Sequence, residues 1–115
     1  MINLDTEQRK IIEETAAHNL GLQHILCIEE MAELMQAISK YTRTDPSSYN
    51  DVTELREKIT ENKNNIVEEM ADVYITLEEL RVHHRISDQQ ILENIGYKLE
   101  RQRKRNAKQR NTEHD

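Results

Sequence analysis

Residues 28–34 read IEEMAEL, and residues 67–73 read VEEMADV. Four of the seven positions are identical, and the other three are conservative. Each copy holds two acids three residues apart, which are Glu30, Glu33, Glu69 and Asp72. Two such pairs can bring four carboxylates to one place, and carboxylates that cluster in an apolar setting need a cation. The repeated segment therefore predicts two related helices and a metal site between them.

The position of these acids on a helical wheel supports that prediction. At about 100° per residue, Glu30 falls inside the apolar arc of its helix, between Ala37 and Tyr41. Glu69 lies at the edge of the second arc, between Thr76 and Leu80. Acids scattered at random on a surface would not be expected in or beside the apolar arc in both copies. The alternative is that these acids snorkel or pair with Arg and Lys at a helix interface.

The composition predicts an all-α fold in a single domain. The chain has 115 residues with two Gly and one Pro, and it contains no Trp or Phe. Such a sequence suits helices and argues against a sandwich or barrel, which needs many turns. Its core must come from Leu, Ile, Met, Val and Ala. Because each helix buries only one stripe, we expect a homo-oligomer to complete the core.

Helix signals divide the chain into four main segments. Asp5 or Thr6 caps the first, and Ser87 with Gln90 forms a capping box that opens the fourth. Asn, Lys and Thr dilute the pattern at 61–65 and predict a pause there. The apolar stripe of the fourth helix ends at Leu99. The predicted helices cover residues 6–19, 22–43, 52 onward with a main segment at 64–84, and 87 onward. Together they form a helical domain at 1–105, which is followed by a frayed basic and polar tail at 106–115.

Charge and targeting signals restrict the partners. The net charge is −6, although residues 98–115 carry seven Lys or Arg against three acids. An acidic body disfavours nonspecific nucleic-acid binding and fits a site that recruits divalent cations. The sequence shows no signal peptide and no transmembrane run, so we expect no membrane partner and a cytoplasmic location. Cys27 is expected to be a reduced core residue.

The available ligands favour a hard cation. Carboxylate oxygens suit Mg²⁺, with Mn²⁺ as a substitute. No His has a Glu three residues before it, and no HExxH or C-x-x-C framework exists, so neither a di-iron nor a zinc site is expected. Four histidines without ligand-like spacing are expected at the surface or at helix ends, which are His18, His24, His83 and His84.

The order EEMAEL, loop, EEMADV resembles the ExxE…ExxD signature of the all-α nucleoside triphosphate pyrophosphatases, and in particular the short MazG-like proteins. The resemblance covers roughly residues 22–105. It implies a four-helix core, a dimer or tetramer, and Mg²⁺-dependent hydrolysis of a nucleoside triphosphate to the monophosphate and pyrophosphate, as in house-cleaning of nucleotide pools. By the same resemblance, the residues that hold the metal and act in catalysis through a metal-bound water are Glu30, Glu33, Glu69 and Asp72.

Five further residues are candidates for contacts with the substrate. Each has an alternative: Lys40 could form a surface ion pair, and Asn65 could cap a helix. The basic residues of the fourth helix could instead offset the helix macrodipole, and Gln102 departs from the family pattern there. The candidates are Lys40, Asn65, Lys98, Arg101 and Arg105.

Two other functions remain open. One is a helical binding module whose basic tail docks on nucleic acid or an acidic partner. The other is a phosphoribosyl-ATP pyrophosphatase, since these enzymes have a related helical signature. The base preference is not predicted, because the chain lacks the Trp and Phe with which relatives hold a nucleobase.

Overall fold

The protein is built from four α-helices joined by short connections. The computed structural model describes residues 3–114, and the side chains of residues 3–112. No strand occurs in this part of the chain, so the prediction of an all-α fold is confirmed. The helices are α1 (Thr6–His18), α2 (Gln23–Thr42), α3 (Val52–His83) and α4 (Asp88–His114), and a short 3-10 helix (Pro46–Ser48) lies between α2 and α3.

Polar side chains fix where helices begin. The backbone N–H of Gln8 donates to the Asp5 carboxylate at 2.7 Å, and the Gln8 side chain accepts from the Asp5 N–H at 3.0 Å. Ser87 and Gln90 make the same reciprocal pair, at 3.1 and 2.8 Å. Both predicted caps are therefore confirmed, and a cap of this kind stabilises a helix by about 1 kcal/mol.

Helices α1, α2 and α3 form one compact unit, and α4 forms a second. Within the first unit, α2 and α3 make an antiparallel hairpin, and α1 packs against α3. Near the start of α2, the Gln23 amide donates to Glu79, near the end of α3, at 3.2 Å. At the opposite end, Asn62 donates to the hydroxyl of Thr44 at 2.9 Å. These two bonds fix the register of the hairpin.

The seam of the hairpin repeats every four and three residues on each helix. This alternation is the spacing of coiled-coil packing, in which one stripe of each helix faces its neighbour. The third seam residue on each helix is a glutamate, Glu30 on α2 and Glu69 on α3. The buried and half-buried residues along the seam are Gln23, Cys27, Glu30, Leu34 and Ala37 on α2, and Asn62, Ile66, Glu69, Val73 and Thr76 on α3.

One predicted detail of the helices is wrong. The expected pause at 61–65 does not occur, because α3 is continuous from Val52 to His83. Asn62, which weakens the sequence pattern, is only 3% exposed and is bonded to Thr44, so a tertiary contact supports the helix there. Residues 106–115 are predicted to form a frayed tail; α4 continues to His114, residue 115 lies outside the described part of the chain, and fraying stays a prediction. The Lys, Arg, Gln and Ala residues of α4 are good helix formers even without an apolar stripe.

Few apolar side chains are buried in the chain. The buried apolar residues among those described are Ile12, Ala16, Cys27 and Ala37, and Cys27 lies in the core as predicted. Many larger apolar side chains are exposed, including Met35 at 70% and Ile28 at 61%. Among the described residues, every helix is too short or too polar to cross a bilayer.

Candidate metal centre

The hairpin brings three of the four predicted acids together. Glu30 and Glu33 lie one turn apart on α2, and Glu69 faces them from α3. One carboxylate oxygen from each lies within 4.8 Å of the other two. Because Glu30 and Glu69 occupy the seam, the packing of α2 on α3 itself creates the cluster. Side chains 36 or more residues apart in sequence thus meet at one point.

The carboxylates at the seam are partly shielded from water. Glu30 and Glu69 are half-buried, whereas Glu33 is exposed. One oxygen of each seam glutamate, Oε2, is inaccessible to solvent and has no hydrogen-bond partner. Within the described residues, no lysine or arginine forms an ion pair with any of the three. The alternative of Arg or Lys partners is therefore not realised within these residues.

The negative charges of the clustered carboxylates repel one another. Burial raises the pKa of Glu30, and the charges of Glu33 and Asp72, a side-chain hydrogen bond with Glu33 and the charge of Glu69 raise it further. The pKa of Glu69 is raised by burial and then by the charges of Glu33, Asp72 and Glu68. Both seam carboxyls therefore hold a proton more readily than an ordinary glutamate does. A divalent cation would relieve the same repulsion that a proton relieves.

Asp72 lies at the margin of this cluster. Its charge is close enough to raise the pKa of Glu30 and of Glu69. Its side chain is exposed, and it is not one of the three acids whose oxygens lie within 4.8 Å. Its role as a fourth ligand stays a prediction.

The donor set fits a hard divalent cation. All three converging groups offer carboxylate oxygens, and Mg²⁺ binds such oxygens at about 2.0–2.1 Å while keeping positions for water and phosphate. The two shielded, unpartnered Oε2 atoms are the kind of buried acceptor that a cation satisfies. Glu30, Glu33 and Glu69 would hold the ion, with Asp72 beside them.

The five candidate substrate contacts lie in different parts of the chain. Lys40 is exposed and lines a cavity of about 240 Å³ together with Arg43 and Lys58. Asn65 is half-buried on α3, one turn before Glu69. The three residues exposed on α4, in the second unit, are Lys98, Arg101 and Arg105. Their contacts with substrate stay predictions.

A second group of candidate ligands was missed by the sequence analysis. His24, at the start of α2, meets His83 and His84, at the end of α3. One ring nitrogen from each lies within 4.8 Å of the other two. The sequence gives no sign of this group apart from the adjacent histidines at 83 and 84. The contact of His24 with them depends on the register of the hairpin, which the sequence pattern does not show.

Comparison of the chain with protein-family models, with curated proteins and with solved structures finds no significant match. The resemblance to MazG-like proteins therefore stays an expectation from the repeated motif.

Proposed function

We propose that this protein is a Mg²⁺-dependent nucleoside triphosphate pyrophosphohydrolase that converts a nucleoside or deoxynucleoside triphosphate to the monophosphate and pyrophosphate. The observation that carries the proposal is the meeting of Glu30, Glu33 and Glu69, whose oxygens lie within 4.8 Å and lack a basic partner. Three converging carboxylates, two of which have a shielded oxygen without a partner, are costly unless a cation binds them.

The chemistry follows from what such a centre can hold. A divalent cation there would neutralise phosphate charge, lower the pKa of water and stabilise the departing pyrophosphate. The glutamates would fix the cation against the seam, so that the phosphates approach from the exposed side of Glu33 and Asp72. Cations on the chain such as Lys40 are candidates to contact the outer phosphates. The biological role that follows from this activity is removal of unwanted or excess nucleotides.

The assay that tests the proposal uses variants in pairs. We expect Glu30→Gln, Glu33→Gln and Glu69→Gln each to lower kcat/KM by about 100-fold or more, because metal and phosphates are then misplaced. Asp72→Asn tests the fourth position, and Glu29→Gln is the matched control one residue away on the exposed side. Products from a panel of canonical and modified nucleotides are separated by chromatography. No turnover of any nucleotide by metal-loaded wild type contradicts the proposal. Salt-dependent binding of DNA without turnover would favour the binding module instead.

The exposed apolar residues support the expected homo-oligomer. Each helix of the hairpin carries a second apolar stripe, one residue along from its seam and with the same spacing. Because the helices are antiparallel, the same offset on both places the two stripes on one face of the hairpin. The stripes are Ile28, Met31, Met35 and Ile38 on α2, and Val67, Met70, Tyr74 and Leu77 on α3, and all are 40% exposed or more.

A second copy of the chain fits this face, because the face repeats the spacing that already packs α2 on α3. We therefore propose that the protein assembles through it, at least as a dimer. Light scattering should give a mass of at least twice 13.6 kDa at micromolar concentration. Met35→Lys should weaken the assembly, and Gln36→Lys, at the exposed neighbouring position, should not. A monomeric wild type contradicts this part of the account.

A further inference from the structure

We propose that His24, His83 and His84 form a second metal site, which binds a divalent transition-metal ion such as Zn²⁺ and clamps the start of α2 to the end of α3. The three rings lie in mutual contact, with centroids 4.9–5.2 Å apart. One nitrogen from each ring lies within 4.8 Å of the other two. This proposal does not rest on the proposed hydrolase activity.

The distances suit coordination by a small ion. Zn²⁺ binds imidazole nitrogen at about 2.0–2.1 Å, which places two tetrahedral ligands roughly 3.3 Å apart. The Nε2 atoms of His24 and His84 are 2.7 Å apart, so they need to separate by about 0.6 Å. The three ring nitrogens that lie within 4.8 Å of one another have to close by at most about 1.5 Å. Small ring rotations at two exposed residues achieve such shifts.

The state of the nitrogens also points to an ion. An Nε2 to Nε2 hydrogen bond requires one ring to donate a proton and the other to accept it. A metal can take the place of that shared proton and accept both lone pairs. His83 adds a buried nitrogen, Nδ1, that has no hydrogen-bond partner. The cluster therefore combines two Nε2 atoms that share one proton with a third ring that has an unsatisfied nitrogen.

The hairpin holds this cluster in place through a buried bond next to it. Gln23 is 0% exposed and donates to Glu79, which is also buried. Gln23 precedes His24 on α2, and Glu79 lies one turn before His83 on α3. This bond fixes the register that brings the histidines together, so little ordering remains to be done when an ion binds.

Imidazole ligands set the class of ion and the kind of site. Nitrogen donors select Zn²⁺, Ni²⁺, Cu²⁺ or Co²⁺ over Mg²⁺, so this site and the carboxylate centre should take different metals. Three protein ligands leave one position open, and the exposure of His24 and His84 leaves that position to water. His24 lies six residues before Glu30, about 9 Å along the helix axis, so the two centres are separate.

The test reads the histidine rings directly. Zn²⁺ is titrated into full-length protein in excess Mg²⁺, and the ring carbon and nitrogen resonances of each histidine are followed by NMR. We expect the rings of His24, His83 and His84 to shift together and to saturate at one ion per chain, while His18 does not move. Rings that stay unperturbed at one equivalent, or a shift in one ring alone, would overturn the proposal. Zinc bound only by the carboxylates gives that first result.

Variants give an independent measure of the same site. His24→Ala should weaken Zn²⁺ binding by at least about 100-fold, since removing a group that merely orients a ligand already costs roughly 10–100-fold. His18→Ala, on α1, is the matched control and should bind as wild type does. Zn²⁺ should raise the melting temperature of wild type and His18→Ala but not that of His24→Ala. Equal zinc affinity and equal melting shifts in the two variants would also overturn the proposal.

Discussion

Replacing Glu30 by Gln should remove most of the stabilisation that we expect Mg²⁺ to give this protein. The three acids present oxygens within 4.8 Å of one another. In Mg²⁺ coordination, adjacent oxygens lie about 2.9 Å apart and opposite ones about 4.1 Å. The oxygens therefore have to close by roughly 2 Å at most, which rotation of the glutamate side chains can supply. If these carboxylates bind the ion as proposed, the binding energy will appear as added stability.

The size of the effect follows from mass action. Mg²⁺ at about 100 times its dissociation constant adds ~2.7 kcal/mol to the free energy of unfolding. For a chain of 115 residues, this is a rise of about 10 °C in melting temperature. A 100-fold loss of affinity in Glu30→Gln leaves only ~0.4 kcal/mol at the same Mg²⁺ concentration, or about 1–2 °C.

The assay is a thermal melt at fixed protein concentration, with EDTA and then with Mg²⁺. Glu29→Gln is the control, because Glu29 is exposed beside Glu30 and lies outside the cluster. In EDTA, Glu30→Gln should melt no lower than wild type, since it removes a charge that burial and the neighbouring acids disfavour. A full Mg²⁺ shift in Glu30→Gln, or an equal loss of the shift in Glu29→Gln, would show that Glu30 is not a specific ligand of the ion.

Three further predictions concern the fold. Burial raises the pKa of Glu79 above its ordinary value of 4.5, so the contribution of this carboxyl to stability is present below pH 4.5 and is lost as pH rises through the raised pKa. Glu79→Gln should therefore melt at a higher temperature than wild type near neutral pH but not near pH ~4. An equal difference at both pH values would contradict this prediction. Asn62→Ala should lower the free energy of unfolding by about 1–2 kcal/mol in a urea titration, because it breaks the bond to the loop, whereas the exposed Asn64→Ala should change it little. Arg85 has a φ of 55°, in the left-handed region just after α3. Arg85→Gly should therefore add about 1 kcal/mol to the free energy of unfolding and raise the melting temperature by a few degrees, whereas Arg85→Ala should not. Equal melting temperatures for the two variants would argue against strain at this position.

The repeated motif was enough to predict two helices and a cluster of acids, three of which the structure brings together. Glu30 falls inside the apolar arc of its helix and Glu69 at the edge of the second arc, and the structure places both in the seam of the hairpin. Caps at Asp5 and Ser87 were readable because a capping box is local in sequence. Capping boxes and apolar arcs depend on residues that are close in sequence, so they can be predicted without knowledge of the tertiary fold.

The sequence could not predict features that depend on tertiary contact. The propensity of residues 61–65 suggested a pause in α3, but low propensity costs only tenths of a kcal/mol per residue, and the buried bond of Asn62 outweighs it. The histidine cluster joins positions about 60 residues apart, and only the register set by Gln23 and Glu79 brings them together. No periodicity in the sequence encodes that meeting.

The most direct test of the account is a ³¹P NMR spectrum of the products formed from a nucleoside triphosphate with Mg²⁺ and wild-type protein. The account predicts nucleoside monophosphate and pyrophosphate in equal amounts, formed by wild type and by Glu29→Gln, and nearly absent with Glu30→Gln or after EDTA. Nucleoside diphosphate with orthophosphate, or an unchanged triphosphate in the presence of metal-loaded wild type for every nucleotide tried, would contradict it.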